Sequence, residues 1–156
     1  MKVLTVVVAL LAFPSVLFGV IDFNGNGVSE IWELQYKGTV ADDFDSDKDG
    51  SSNRAEGIAG TDPHDPESVL ALEHPVLDGP EVRFSWSAEA GKSYRLERWD
   101  PAANGWSEAA SILPLSISAI QTVTLDRLDG GVFRLVSADI DMDGDGLSAW
   151  EEILIG

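Results

Sequence analysis

The stretch Asp45-Ser-Asp-Lys-Asp-Gly-Ser-Ser-Asn-Arg-Ala-Glu56 places a carboxylate at its first, third, fifth and twelfth positions and a glycine at its sixth. This spacing predicts a loop curled around one cation. Calcium takes about six to eight hard oxygens, so the chain must wrap it with alternate side chains turned inward and a sharp bend at the sixth residue. The same pattern runs from Asp141 to Glu152 and, with oxygen-bearing side chains that include Asn24 and Asn26, from Asp22 to Glu33. The expected side-chain ligands are Asp45, Asp47, Asp49 and Glu56 in the second loop, Asp22, Asn24, Asn26 and Glu33 in the first, and Asp141, Asp143, Asp145 and Glu152 in the third. The seventh residues, Val28, Ser51 and Leu147, offer backbone carbonyls, and Gly27, Gly50 and Gly146 make the bend. The ninth position varies among Glu30, Asn53 and Ala149, and Ala149 leaves its place to water. Asp, Asn and Gly also gather in ordinary solvated turns, but three full matches by accident is an event of under about one in a hundred. Ca2+ is therefore the expected ion.

Charge points the same way. The chain has 27 Asp and Glu against 10 Lys and Arg, a net charge of -17. The three loops alone hold 12 of those acids. At about 4 Å and an effective dielectric of about 20, each like-charged pair costs roughly 4 kcal/mol, so the loops need a counterion. The negative surface excludes nucleic acid and anionic membrane as partners.

The first nineteen residues differ from the rest. Lys2 is the only charge before Asp22, and Val3 to Phe13 is an unbroken apolar run closed by Pro14. This reads as a secretory signal peptide over residues 1–19, because the run is shorter than the roughly twenty residues of a membrane-spanning helix. The mature chain is thus expected to be secreted, extracellular or at a cell surface, with no membrane span. There is no cysteine, so calcium is the available staple in place of disulfides.

Residues 20–66 read as two paired loop-helix repeats. Ser29, Ser52 and Ser148 are natural N-caps for a short helix after each loop, and Ser148 with Glu151 makes a capping box. In the first helix, Ser29 to Tyr36, the residues Ile31, Leu34 and Gln35 fall about one turn apart, with Trp32 and Tyr36 beside them. Thr61-Asp-Pro-His-Asp-Pro66 ends the second helix. Over residues 67–137 the period changes to alternation: Val82, Phe84 and Trp86, then Tyr94 and Leu96, Val123 and Leu125, Phe133 and Leu135, with turns at Gly91, Pro101 to Gly105 and Asp129 to Gly131. One or two further strands are expected within Trp106 to Ile120. Residues 138–156 begin a further repeat that stops where another Thr-Asp-Pro would follow, as in a fragment. The expected fold class is mixed: a small antiparallel β-sandwich flanked by calcium-binding loop-helix repeats.

Asp22-Phe-Asn-Gly-Asn-Gly-Val-Ser-Glu-Ile-Trp-Glu-Leu34, Asp45-Ser-Asp-Lys-Asp-Gly50 and Gly60-Thr-Asp-Pro63 resemble bacterial thrombospondin type 3 repeats, which are similar in turn to EF-hand and dockerin loops. The middle segment, with Phe84-Ser-Trp-Ser, Ala90-Gly-Lys-Ser-Tyr-Arg-Leu and Phe133-Arg-Leu, is similar to fibronectin type III-like modules. The resemblance implies a non-catalytic spacer or adhesion module of a large secreted bacterial protein, with other modules of the same protein or cell-surface partners at its sides. Asn24 and Asn26 replace aspartates of the pattern, which implies weaker binding in the first loop.

Two other classes compete. A dockerin-like pair would plug into a partner, but Gly57, Gly60 and Pro63 shorten the second helix that such docking uses. An enzyme, or the accessory region of a larger secreted hydrolase, would need a catalytic set. His64 and His74 sit beside prolines as solvated loop residues, no serine lies in an elbow motif, and 12 of the 27 acids belong to the loops. Trp86, Trp99 and Trp106 would suit a sugar-stacking face, but Trp86 alternates with the core, and Trp99 and Trp106 flank one turn across which they pack.

Overall fold

The computed structural model describes residues 20–37, 39–126 and 131–156. The expected signal segment, 1–19, lies outside the described residues, as does most of the turn expected at 129–131.

Strict alternation in β2 (Glu81–Ala88) builds the first sheet: Val82, Phe84, Trp86 and Ala88 are buried between exposed or half-buried neighbours. β2 pairs antiparallel on one side with β5 (Ala119–Asp126) and on the other with β1 (Val76–Asp78), giving the order β1-β2-β5. The second sheet has β3 (Ser93–Asp100) at its centre between β4 (Gly105–Ile112) and β6 (Phe133–Ala138), in the order β4-β3-β6. The two antiparallel sheets face each other through aromatic pairs. Phe84 and Phe133 have ring centroids 4.7 Å apart, and Trp86 and Tyr94 5.9 Å, so large rings from both inner faces fill the layer between the sheets.

All four alternating segments are strands, and β4 lies in the interval where a further one was expected. β1 was not anticipated. Its three residues are exposed and follow no pattern; the free edge of β2 recruits them. β6 departs from alternation, with Phe133 to Ser137 all buried. Its outer face is covered because Arg134 lies over the Trp106 ring at 4.3 Å and pairs with Glu97, whose Oε2 is 2.6 Å from Nη2.

Three short helices follow the loops: α1 (Glu30–Gln35), α2 (Asn53–Ala59) and α3 (Ala149–Ile155). Ser29, Ser52 and Ser148 cap them as expected, each hydroxyl accepting a backbone N–H, and both halves of the Ser148–Glu151 capping box form. The inward residue of α1 is Trp32, not Leu34. Trp32 is wholly buried while Leu34 is 65% exposed, because a helix this short buries one side chain well and the indole also donates to the Thr61 carbonyl at 2.9 Å. Trp32, Val28, Ala41 and Trp150 form a second apolar core with Tyr36 and Ile58 against it. Residues of the first, second and third loop-helix units thus share one interior. Among the described residues no helix is long and apolar enough to cross a membrane.

Candidate metal centre

The three loops are built on the same hydrogen bonds. At the neck of each, the ninth residue's N–H donates to the carbonyl just before the first: Glu30 to Ile21 at 2.8 Å, Asn53 to Phe44 at 2.7 Å and Ala149 to Ile140 at 3.0 Å. Inside, the first aspartate accepts from the fourth residue's N–H, at 2.7 Å (Gly25 to Asp22), 2.6 Å (Lys48 to Asp45) and 2.6 Å (Gly144 to Asp141). It also accepts from the sixth, at 2.9, 3.1 and 3.0 Å from Gly27, Gly50 and Gly146. The fifth side chain accepts from the seventh N–H, as Val28 to Asn26, Ser51 to Asp49 and Leu147 to Asp145. At the sixth position φ is +85°, +103° and +98°, left-handed backbone that glycine adopts without steric cost.

Held in this way, the side chains converge. Carboxylate oxygens of Asp45, Asp47 and Asp49 all lie within 4.8 Å of one another, as do those of Asp141, Asp143 and Asp145. Glu56 is 1% exposed. Neither of its oxygens has a hydrogen-bond partner, and Oδ2 of Asp47 and Oδ2 of Asp49 are likewise buried and unpartnered. Burial pushes the Glu56 carboxyl up to about 8, with the charges of Asp47, Asp49 and Asp45 adding to it. Burial also raises Asp49, against the lowering effect of the Ser51 N–H. Buried carboxylates without donors are costly, and a cation held by the converging Asp45, Asp47 and Asp49 oxygens would relieve them; Glu56, whose carboxyl feels those three charges, lies outside that converging group, as Glu152 lies outside the group of Asp141, Asp143 and Asp145. The donor set is all hard oxygen. With the Ser51 carbonyl, and with Glu56 turned in to bind bidentately, it would reach the lower end of the roughly six to eight ligands calcium takes, and it offers no nitrogen or sulfur for softer metals.

The third loop repeats the arrangement in a more open setting. Desolvation and then Asp143, Asp145 and Asp141 raise the Glu152 carboxyl, while the N–H of Gly144 leads several backbone donors in lowering Asp141.

The first loop has the same frame with different contents. Asn24 Nδ2 donates to Glu33 Oε2 at 3.0 Å and Asn26 Nδ2 to Glu33 Oε1 at 2.7 Å. Asn24, Asn26 and Glu33 are together, but the two amide nitrogens occupy the Glu33 oxygens, while the Oδ1 atoms accept from the N–H of Asn26 and of Val28.

The ninth residues brace the loops from outside. Both Glu30 oxygens accept from the Phe23 N–H at 2.8 Å. Asn53 accepts from Ser46 N–H at 3.3 Å and donates to the Val40 carbonyl at 3.1 Å. Neither is free to act as a direct ligand, so the position assigned to water in the third loop is open to water in all three.

Sequence reasoning missed what joins the loops. Arg54 of α2 donates through Nη1 to the Asn26 carbonyl. The Glu151 carboxylate accepts from Ser29 Oγ at 2.5 Å and from Ile21 N–H at 2.9 Å. Lys92, fully buried on its side chain, pairs with Asp139 at 2.8 Å and sits 4.3 Å from the centre of the Trp150 ring. The capping-box spacing picked out Glu151 locally; nothing local points to Ser29. Of the tryptophans, Trp86 is wholly buried and Trp99 and Trp106 are cross-strand partners with ring centroids 5.4 Å apart. His64 is hydrogen-bonded to Thr39 Oγ1 at 3.0 Å.

Comparison of the chain with protein-family models, with curated proteins and with solved structures finds no match in any of the three.

Proposed function

We propose that this chain is a calcium-stiffened structural module, non-catalytic, exported from a bacterial cell and working as a spacer or adhesion element between other modules of a larger protein. The observation that carries the reading is the set of four buried, unpartnered carboxylate oxygens on Asp47, Asp49 and Glu56, which a hard cation neutralises. Asp45, Asp47, Asp49, Ser51 and Glu56 hold the second ion, and Asp141, Asp143, Asp145, Leu147 and Glu152 the third. Asp22, Asn24, Asn26, Val28 and Glu33 hold the first more weakly, having fewer charges. The loop motifs' resemblance to thrombospondin type 3 repeats and the sandwich's to fibronectin type III-like modules support the spacer role.

Extracellular calcium modules bind with dissociation constants of about 0.1–1 mM, and a site at ten times its dissociation constant adds about 1.4 kcal/mol of stability. Calcium acts here as structural glue. Thermal melting of residues 20–156 in millimolar calcium and in excess chelator tests this, together with calorimetric counting of ions. A melting temperature that rises with calcium supports the proposal; identical melting and protease resistance in both conditions overturns it.

A further inference from the structure

The Glu151 carboxylate is wholly buried and completely occupied by two loops far apart in sequence. Oε1 accepts from Ser29 Oγ at 2.5 Å and from the Ile21 N–H at 2.9 Å, contacts that span 122 and 130 residues. Oε2 accepts from the Ser148 N–H at 2.9 Å and from Ser148 Oγ at 3.1 Å. Each donor adjoins an ion loop's working part. Ile21 precedes Asp22, the first ligand of loop one. Ser29 follows Val28, whose carbonyl is the seventh-position ligand, and Ser29 Oγ caps α1, accepting from the Ile31 N–H at 3.1 Å. Ser148 caps α3, and Glu151 itself precedes Glu152, the twelfth-position ligand of loop three. One buried anion therefore fixes both helix starts from which Glu33 and Glu152 are aimed. The apolar contact beneath it, Val28 and Trp150 in one cluster, makes the two loops share packing as well as hydrogen bonds. Among the described residues, no group of the second loop bonds to Glu151; that loop meets the first through Arg54 and the Asn26 carbonyl instead.

We propose that Glu151 is a positioning residue common to the first and third ion loops, so that occupancy of one raises the affinity of the other. This deepens the calcium reading and rests on it. Ordering either loop fixes Glu151, and the other loop then binds without having to order it, which is a coupling free energy acting equally in both directions.

The test is a calcium titration of residues 20–156 followed by amide NMR of Gly27, Gly50 and Gly146. The N–H of each donates to the first aspartate of its own loop, so each reports one site. Two variants are compared with the unmodified chain: Glu151→Gln, and the milder Ser29→Ala, which removes a single bridging bond and keeps the fold if Glu151→Gln does not. In Ser29→Ala the Gly146 midpoint, in the loop that does not contain the substitution, is expected to move to higher calcium by about fivefold, and by clearly more than the Gly50 midpoint. A shift at Gly27 alone would mean a lost helix cap and no coupling, and equal shifts at all three would mean general destabilisation; either result overturns the proposal. If no glycine responds to calcium in the unmodified chain, the calcium reading itself fails, which is distinct from a failure of coupling.

Discussion

The backbone of Gly57 in α2 touches the side chain of Val28 in loop one: a Cβ at residue 57 would lie 2.4 Å from Cγ1 and 3.0 Å from Cγ2 of Val28. Alanine is ordinarily better than glycine inside a helix by about 1 kcal/mol, yet here it overpacks a buried contact. Gly57→Ala is expected to lower stability to urea by about 1–3 kcal/mol. Val28→Ala in the same background should recover part of that loss. A Gly57→Ala chain as stable as the original would show that the contact relaxes freely.

Glu56 fixes the pH behaviour of the metal-free chain. Its folded carboxyl titrates at about 8 against an ordinary 4.5, so between those values the folded state holds a proton that the unfolded state has released. Metal-free stability should therefore fall as pH rises from about 4.5 to about 8. If calcium binds as proposed, it takes the place of that proton, and the decline should flatten in millimolar calcium. At pH 7 binding should release protons, seen in calorimetry as a heat that depends on the buffer. Glu56→Gln should abolish this contribution. A metal-free stability that climbs through this range would contradict the assignment.

Lys92 and Asp139 form a pair with exposures of 0% and 9% on their side chains. Removing one partner of a buried pair leaves the other charge uncompensated, a loss of about 3–5 kcal/mol. Lys92→Met should be destabilised by that order, measured by urea unfolding in calcium. Asp139→Asn added to it should restore part of the stability, whereas a worse double variant would show that Lys92 matters chiefly through Trp150.

Serine at the start of α3 makes a prediction on a smaller scale. Ser148 Oγ accepts from the Glu151 N–H at 3.3 Å and donates to the same residue's carboxylate. Ser148→Ala is expected to cost about 1 kcal/mol in thermal or urea unfolding, and Ser148→Thr, which keeps the hydroxyl, considerably less.

What could be read from the residues alone was whatever the chain decides over short distances. Every bond that closes a loop lies within about one turn of the loop itself, so Asp45, Asp47, Asp49, Gly50, Ser52 and Glu56 had to stand at fixed offsets, and the pattern was visible. β2 was equally plain, since one of its faces meets the core and the other meets water or a neighbouring strand. Legibility failed where remote groups altered the local rule. Arg134 is buried because Trp106 and Glu97 cover it, which no alternation along β6 reveals. β1 exists only because β2 has an edge to fill. Leu34 looked apolar enough to point inward, but the space beneath α1 belongs to Trp32, whose partner Thr61 comes from another unit. Glu151 and Ser29 meet across 122 residues, and no spacing rule reaches that far.

The bridge from Glu151 to Ser29 also fixes a route for mechanical load. The entire sandwich lies in sequence between these two residues, so opposed forces applied near Val20 and Gly156 run first through the bridge and the Val28 and Trp150 contact. While they hold, the six described strands carry no tension. Pulling single molecules from these points should give a first rupture that releases little chain and weakens in Ser29→Ala, followed by a separate unravelling of the sheets. A single event releasing the whole length, identical in both chains, would show that the strands bear the strain from the outset.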